Sequence, residues 1–209
     1  MSKKKKVDIT RRFLKNDISV RMTGGSESED KETSIVEGYA AVFNSWSQDL
    51  HWFREKVMPN AFNVALERSD ARALLNHDAN HLLGREKSGT LTLSIDEIGL
   101  RYSLVLPHHR HDIVELIDRG DLAENSFAFR IAKDEWIDHP DGTTDRILHE
   151  IETIVDISLV TYPAYLDTSL ALRSYTQHKE EVEAPDTYQQ FKKDSRSRTL
   201  SLARSSMTL

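Results

Sequence analysis

The chain has 209 residues, of which 30% are charged and 38% hydrophobic, and its formal net charge is −6. This length suits one domain of ordinary size with tails, and the acidic balance argues against a general nucleic-acid binder. The sequence has no cysteine, which excludes disulfides, zinc–thiolate sites and a cysteine nucleophile. No apolar run reaches the length of a membrane span, so we expect no membrane partner.

Composition divides the chain into three zones. Residues 1–15 are basic, with lysines at positions 3 to 6, and we expect them to form a flexible tail. Residues 16–175 hold nearly all the aromatic and β-branched side chains and form the predicted domain. Residues 176–209 are polar and charged without a clear apolar period, which predicts a flexible tail or a detachable helix.

Seven segments of the domain have the pattern of strands, because apolar and polar residues alternate in them or apolar and β-branched residues dominate. In chain order they are residues 17–22, 34–43, 71–75, 90–95, 100–106, 125–132 and 147–161. The turn sequence DEIG at residues 96–99 joins the fourth and fifth segments and predicts a hairpin. In the sixth segment, Phe127, Phe129 and Ile131 are expected to share one face.

Two segments predict helices. The first begins at Pro59, with proline early in the first turn and with Phe62 and Leu66 on one side. The second covers residues 111–118, which are rich in apolar side chains, and Gly120 is its expected stop. We therefore expect an α+β domain, built as a mostly antiparallel bent sheet or small barrel with a few flanking helices.

Three positions combine the side chains that acyl-transfer chemistry needs. His77 follows the short apolar segment 71–75, and Ser126 stands near the start of a strand, facing away from its phenylalanines. Asp156 is a carboxylate inside an apolar run, which is costly without a partner such as a histidine N–H. Spacing alone leaves the chemistry open, because a catalytic triad is defined by geometry and many domains carry these three residue types on three strands.

Other interpretations of the same side chains stay open. Asp156 could form a structural ion pair with Arg130 or Arg146. His77 and His81 have the spacing of metal ligands on a helix, but no zinc-protease glutamate lies between them and the adjacent polar residues indicate a turn. The histidines at positions 108, 109 and 111 are expected in a solvated loop at the start of a helix. We therefore predict neither a metal site nor a cofactor.

Seven blocks resemble, in chain order, the motifs of the prohead proteases of tailed bacteriophages. They are GYAAVFN at residues 38–44, FREKVMPNAF at 53–62, LNHD at 75–78, LGR at 83–85, SGTL at 88–91, SFAF at 126–129 and DISLVTYPAY at 156–165. The family more often has glycine where this chain has Asn60 and Ala128. The match runs over about residues 35–173, and several motifs in one order are far more specific than any single one.

The resemblance implies a serine endopeptidase whose fold is similar to that of the herpesvirus capsid-maturation protease. It assigns the nucleophile to Ser126, the general base to His77 and the third member of the triad to Asp156. The family more often has glutamate at this third position, and the herpesvirus enzymes have a second histidine. Glu152 is therefore the alternative third member if the strand register differs.

The resemblance also implies partners and a place of action. The substrates would be the scaffold, the N-terminal segment of the major capsid protein and the chain itself, with self-cleavage expected within residues 175–205. Cleavage would take place inside the assembling prohead in the host cytoplasm. Because the herpesvirus relatives gain activity on dimerising, a homodimer is left open.

Two alternative functions also remain open at this point. The first is a non-catalytic capsid assembly or scaffold protein with the same fold. The second is an unrelated hydrolase or binding module whose match to the motifs is accidental.

Overall fold

Strands make up most of the described chain. The computed structural model describes residues 10–15, 18–23, 33–47, 49–50, 52–162 and 168–183. In these ranges the strands are β1 (Thr10–Lys15), β2 (Ser19–Thr23), β3 (Thr33–Val42), β4 (Arg54–Val57), β5 (Arg72–Leu75), β6 (Asp78–Arg85), β7 (Leu91–Ile95), β8 (Gly99–Val105), β9 (Glu124–Asp138) and β10 (Thr144–Val160). The helices are α1 (Asn63–Arg68), α2 (His111–Asp118) and α3 (Thr168–Glu183). The expected α+β class is therefore confirmed.

The strands form two sheets. In the first the order is β1-β9-β10-β5-β6, and β4 also pairs with β10. In the second the order is β2-β3-β8-β7. Most neighbours are antiparallel, but β10 runs parallel to β4 and to β5. Neither sheet closes on itself within the described residues, so the prediction of a small barrel is wrong and that of a mostly antiparallel sheet holds.

The long hairpin of β9 and β10 is the largest part of the first sheet. Register shifts interrupt its ladder at four places between Leu148 and Asp156, and bulges of this kind bend a strand and increase its twist. The sequence predicted shorter strands, because the charged residues 133–138 show no apolar alternation. They nevertheless pair with residues 144–150 of β10, so the hairpin continues beyond the core.

Apolar side chains from both sheets meet in one core. Phe62, which precedes α1, is fully buried, and its ring centroid lies 6.2 Å from that of Phe43 and 5.9 Å from that of Phe127. Phe127 in turn stacks on Phe129 at 4.6 Å. Burying one such side chain contributes about 1.5–3 kcal/mol relative to leaving it exposed. This aromatic group therefore ties β9 to α1 and to the end of β3.

The predicted hairpin of residues 90–106 is confirmed, since β7 and β8 are antiparallel neighbours. Its turn leads into Gly99, where β8 approaches β3 very closely. A Cβ atom at Gly99 would lie 1.9 Å from the carbonyl oxygen of Ala41. A side chain at this position would therefore force the two strands of the second sheet apart.

The two predicted helices are present, with one difference. α2 has the expected bounds, and Gly120 follows it with a φ of 79°. α1 begins at Asn63 and not at Pro59, because the preceding residues form a turn in which the Ala61 N–H donates to the Met58 carbonyl at 3.0 Å. Among the helices of the described ranges, none has the length and apolar character needed to cross a membrane.

The two predicted tails are partly ordered. Residues 10–15, assigned to the basic tail from composition, form β1 and pair with β9. α3 extends through residue 183 and so reaches into the predicted C-terminal tail. Both elements depend on partners that are distant in the sequence, which a local pattern does not reveal. Residues 1–9 and 184–209 lie outside the described residues.

Candidate active site

The three residues singled out by the sequence lie at one end of the first sheet. Ser126 is near the start of β9, Asp156 is near the end of β10, and His77 stands in the turn between β5 and β6. β10 lies between β9 and β5, and Ser126 is directly opposite Ser158 of β10. This strand order brings together side chains that are 49 and 79 residues apart in the sequence.

A left-handed turn directs His77 over the sheet. Asn76 and His77 have φ values of 54° and 57°, a conformation that costs about 1–3 kcal/mol for each residue other than glycine. The side chain of Asn76 offsets this cost, because it accepts from the Thr161 N–H at 2.9 Å and donates to Thr161 Oγ1 at 3.1 Å. The Asn76 N–H donates to the Leu159 carbonyl at 2.8 Å. The turn is therefore attached to β10, against which the imidazole lies.

The imidazole of His77 bridges the other two side chains. His77 Nε2 lies 2.6 Å from Ser126 Oγ, and His77 Nδ1 lies 2.6 Å from Asp156 Oδ1. A carboxylate can only accept, so Nδ1–H donates to Asp156 and Nε2 accepts the Ser126 O–H. The side chains of His77 and Asp156 are 10% and 8% exposed, and Ser126 is fully buried. With so little water nearby, the interaction between imidazole and carboxylate is weakly screened.

Ser158 is a fourth member of this hydrogen-bond network. Its hydroxyl donates to Asp156 Oδ1 at 2.7 Å and accepts from the His77 backbone N–H at 3.3 Å. Its Oγ also lies 3.2 Å from His77 Nδ1. Ser158 was not predicted from the sequence, although a signal existed: residues two apart on a strand share a face, so Ser158 and Asp156 had to point the same way.

A buried hydrogen bond between the two sheets fixes the backbone beside Ser126. Tyr102 of β8 donates from its hydroxyl to Asn125 Oδ1 at 2.7 Å. Burial raises the pKa of Tyr102 well above its usual value, so the hydroxyl stays protonated and remains a donor. Since Asn125 directly precedes Ser126, this bond holds the start of β9 against the second sheet.

The alternatives considered for Asp156 are positioned differently. Glu152, the other candidate for the third residue, has an exposed side chain on β10. Arg146, one candidate ion-pair partner of Asp156, lies instead 2.6 Å from Asp134 and 3.7 Å from Glu55. The carboxylate that contacts His77 Nδ1 is therefore the one that the motif match indicated.

The other histidines considered as metal ligands have exposed side chains. His81 is exposed on β6, and its Nε2 lies 4.0 Å from Asp78 Oδ2. The histidines at positions 108, 109 and 111 are exposed before and at the start of α2. Among the residues that the structure describes, no group of three or more histidine, aspartate or glutamate side chains is arranged to hold a metal ion.

Comparison with known proteins adds evidence that is independent of this geometry. The family model of the caudovirus prohead serine proteases matches residues 21–182. The chain is 28% identical over 170 residues to the prohead protease of Enterobacteria phage HK97, which covers 78% of this chain and 68% of that protein. No solved structure matches the chain significantly. Because the family model spans well over half of the sequence, the resemblance read from the motifs is confirmed, and the chain belongs to the caudovirus prohead serine protease family.

Proposed function

We propose that this chain is a serine endopeptidase of prohead maturation, in which Ser126 is the nucleophile, His77 the general base and Asp156 the residue that orients the imidazole. The observation that carries the proposal is the continuous hydrogen-bond chain from Asp156 through His77 to Ser126, with both contacts at 2.6 Å. Contacts of this length are within the reach that a general base needs to take the proton of a nucleophile.

The proposed reaction begins with attack of Ser126 Oγ on the carbonyl carbon of a peptide bond. His77 Nε2 takes the hydroxyl proton as the bond forms, and the carbonyl becomes an oxyanion. The tetrahedral intermediate then collapses, and His77 gives the proton to the leaving amine. A water molecule, activated by the same imidazole, hydrolyses the acyl-enzyme and restores Ser126.

The carboxylate of Asp156 has two roles in this scheme. It accepts the Nδ1–H bond, which keeps Nε2 free to act as the base, and it stabilises the imidazolium that forms in the transition state. The hydrogen bond that Ser158 donates to Asp156 Oδ1 fixes the orientation of the carboxylate, which still accepts the imidazole N–H. Both effects gain from the low exposure of the site.

Family membership supports the substrates that we propose. These are the major capsid protein, the scaffold protein and the chain itself, and cleavage takes place inside the assembling prohead in the host cell. The name of the HK97 relative, a prohead protease, supports the same place of action. A fold like that of the herpesvirus capsid-maturation protease and a homodimer stay predictions, which an experimental structure and sedimentation velocity test.

Co-expression with the major capsid protein of the same phage tests the proposed function. We expect the wild-type chain to shorten the capsid protein, as measured by intact-protein mass spectrometry, and we expect Ser126→Ala and His77→Ala to leave it at full length. Ser94→Ala, an exposed serine of β7 in the second sheet, is the matched control and retains cleavage. If Ser126→Ala also shortens the capsid protein, the result contradicts the proposal and points to another protease. If the wild-type chain leaves the capsid protein intact but is needed for assembly, the result favours the non-catalytic assembly protein.

Self-cleavage is tested on the purified chain. We propose that the wild type loses part of residues 175–205 on incubation and that Ser126→Ala does not. Most of this segment lies outside the described residues, and the proposal rests on its polar and charged sequence. An unchanged wild-type mass would contradict self-cleavage without contradicting cleavage of the capsid protein.

A further inference from the structure

Both edges of strand β9 are occupied beside Ser126. β10 pairs with one edge, and β1 pairs antiparallel with the other over six residue pairs, with Phe13 directly opposite Ser126. Neighbouring strands lie about 4.8 Å apart, so the backbone of β1 passes close to the proposed nucleophile. Ser126 has no exposed surface, and a polypeptide therefore reaches it only if a neighbouring segment moves.

β1 is the neighbour that can leave. It is the outermost strand of the first sheet, and β9 is its partner there, whereas β10 pairs with β4, β5 and β9 among the described strands. Extended peptides join many proteins by adding a strand to a sheet edge. On β9, the edge available to an incoming strand is the one that β1 covers.

A buried ion pair between Arg12 and Glu55 connects β1 to the rest of the sheet. The Arg12 guanidinium donates to both carboxylate oxygens of Glu55 on β4, with Nη2 at 2.6 Å from Oε2. Glu55 is only 2% exposed. A second cation, Nη1 of Arg146, lies 3.7 Å from the carboxylate, beyond hydrogen-bond length. Removing one partner of a buried ion pair is strongly destabilising. β1 can therefore leave without that cost only if another cation takes the place of Arg12 beside Glu55.

The register shows where that replacement comes from. Arg12 is opposite Phe127, and directly opposed residues of antiparallel strands project from the same face. We propose that the β1 edge of β9 docks an extended peptide segment with a basic residue opposite Phe127, and that β1 occupies this edge when no such segment is bound. That the docked segment is a substrate rests on the protease function proposed above.

Peptide binding tests the proposal without requiring catalysis. The protein is the full chain with Ser126→Ala and Arg12→Ala, so that the peptide stays intact and the ion pair of β1 is missing. The probes are two fluorescent synthetic peptides with the sequence of residues 8–17, one unchanged and one with alanine in place of the arginine at position 12. We expect fluorescence anisotropy to show at least about tenfold tighter binding of the arginine peptide.

A third substitution provides the matched control for this preference. Adding Glu55→Gln to the same protein should bring the two peptides to equal affinity, because the carboxylate that selects the basic residue is gone. Equal affinity already in the protein that retains Glu55 would overturn the assignment of a basic residue. A preference that survives Glu55→Gln would overturn the assignment of Glu55.

Closing the edge covalently gives a second, independent test. The chain has no cysteine, so two introduced cysteines form one defined disulfide. In the same background this pair is Lys15→Cys with Glu124→Cys, at opposed residues of the β1–β9 ladder. Thr92→Cys with Ser103→Cys, opposed residues of β7 and β8, is the control. We expect the oxidised β1–β9 variant to lose the arginine peptide and to regain it on reduction, while the control binds in both states. Undiminished binding to the oxidised β1–β9 variant would overturn the docking edge.

Two further outcomes separate this proposal from its alternatives. The first is a dimer that sedimentation velocity detects with rising concentration and that the β1–β9 disulfide prevents. Such a dimer would identify β1 of a second copy as the occupant of the edge and would overturn the assignment to a substrate peptide. The second is that the peptides bind with the expected preference while the wild-type chain shows no Ser126-dependent proteolysis. This result would contradict the protease function and support the docking edge.

Discussion

Replacing Ser158 with alanine should slow the chemical step without weakening substrate binding. The hydroxyl donates to Asp156 Oδ1 at 2.7 Å and accepts from the His77 N–H at 3.3 Å, so its loss loosens both the carboxylate and the turn that carries the imidazole. A hydrogen bond to a charged group is worth about 1.5–3 kcal/mol. If the imidazolium of the transition state loses that whole amount, kcat falls by about 10- to 150-fold.

The assay is steady-state hydrolysis of a peptide that spans the site at which the capsid protein is shortened in the co-expression experiment. KM should stay unchanged, because Ser158 is fully buried and its hydroxyl contacts the imidazole and the carboxylate. Ser158→Thr keeps a hydroxyl and should recover most of the rate, while Ser94→Ala should have no effect. An unchanged kcat in Ser158→Ala, in a preparation where Ser126→Ala is inactive, would refute the positioning role derived from these bonds.

Three further predictions concern the proposed third catalytic residue, the core and the last helix. Asp156→Asn should lower kcat by about 10³- to 10⁴-fold, because an amide cannot hold the imidazole in the required tautomer, whereas Glu152→Gln should leave the kinetics unchanged; the reverse result would show that Glu152 is the third member. Phe62→Ala should lower the free energy of unfolding by about 3–5 kcal/mol in urea titrations, while Leu82→Ala, at a position that is 51% exposed, should change it by less than about 0.5 kcal/mol. Hydrogen bonds from a threonine of β10 and a lysine of α3 lower the pKa of Asp138 from 3.8 to about 2, so the contribution of this carboxylate to holding α3 is present above pH 3.8 and is lost as the pH falls towards 2. Asp138→Asn should therefore release α3 at neutral pH, which hydrogen exchange would detect as faster exchange in residues 174–183. Unchanged exchange in these residues would contradict this role of Asp138.

Elements with local signals were predicted well. The hairpin of residues 90–106 combines alternation with a turn sequence, and α2 combines an apolar face with Gly120 as its stop. α1 was placed too early, because Pro59 is compatible with a helix start but also with the turn that precedes Asn63. Local patterns therefore identified these elements, and the error concerned a boundary that competing turn geometry decides.

Elements that depend on distant partners were missed or shortened. β1 has a basic sequence typical of a tail, and it becomes a strand because β9 offers an open edge. The charged end of β9, residues 133–138, becomes a strand because β10 pairs with it. In both cases the stabilising hydrogen bonds join segments that are far apart in the sequence, so neither segment's own composition reveals them.

The candidate site divides in the same way. The motifs identified His77, Ser126 and Asp156, because each stands in a block that resembles one family. They did not identify Ser158 as a member of the network, nor the left-handed turn at Asn76 that directs the imidazole. Those features follow from contacts across β10, which become visible once the order of the strands is known.

The amino-acid sequence by itself determined the family, the α+β class and the residue types available for acyl transfer, because these depend on motif order, on local alternation and on the chemistry of individual side chains. The tertiary structure alone decided that the His77 imidazole lies 2.6 Å from both Ser126 Oγ and Asp156 Oδ1, and that β1 lies beside Ser126. The physical reason is that both arrangements depend on the order in which β1, β9, β10 and β5 pair. That order is set by the joint burial of a core shared by the whole domain, and no single segment encodes it.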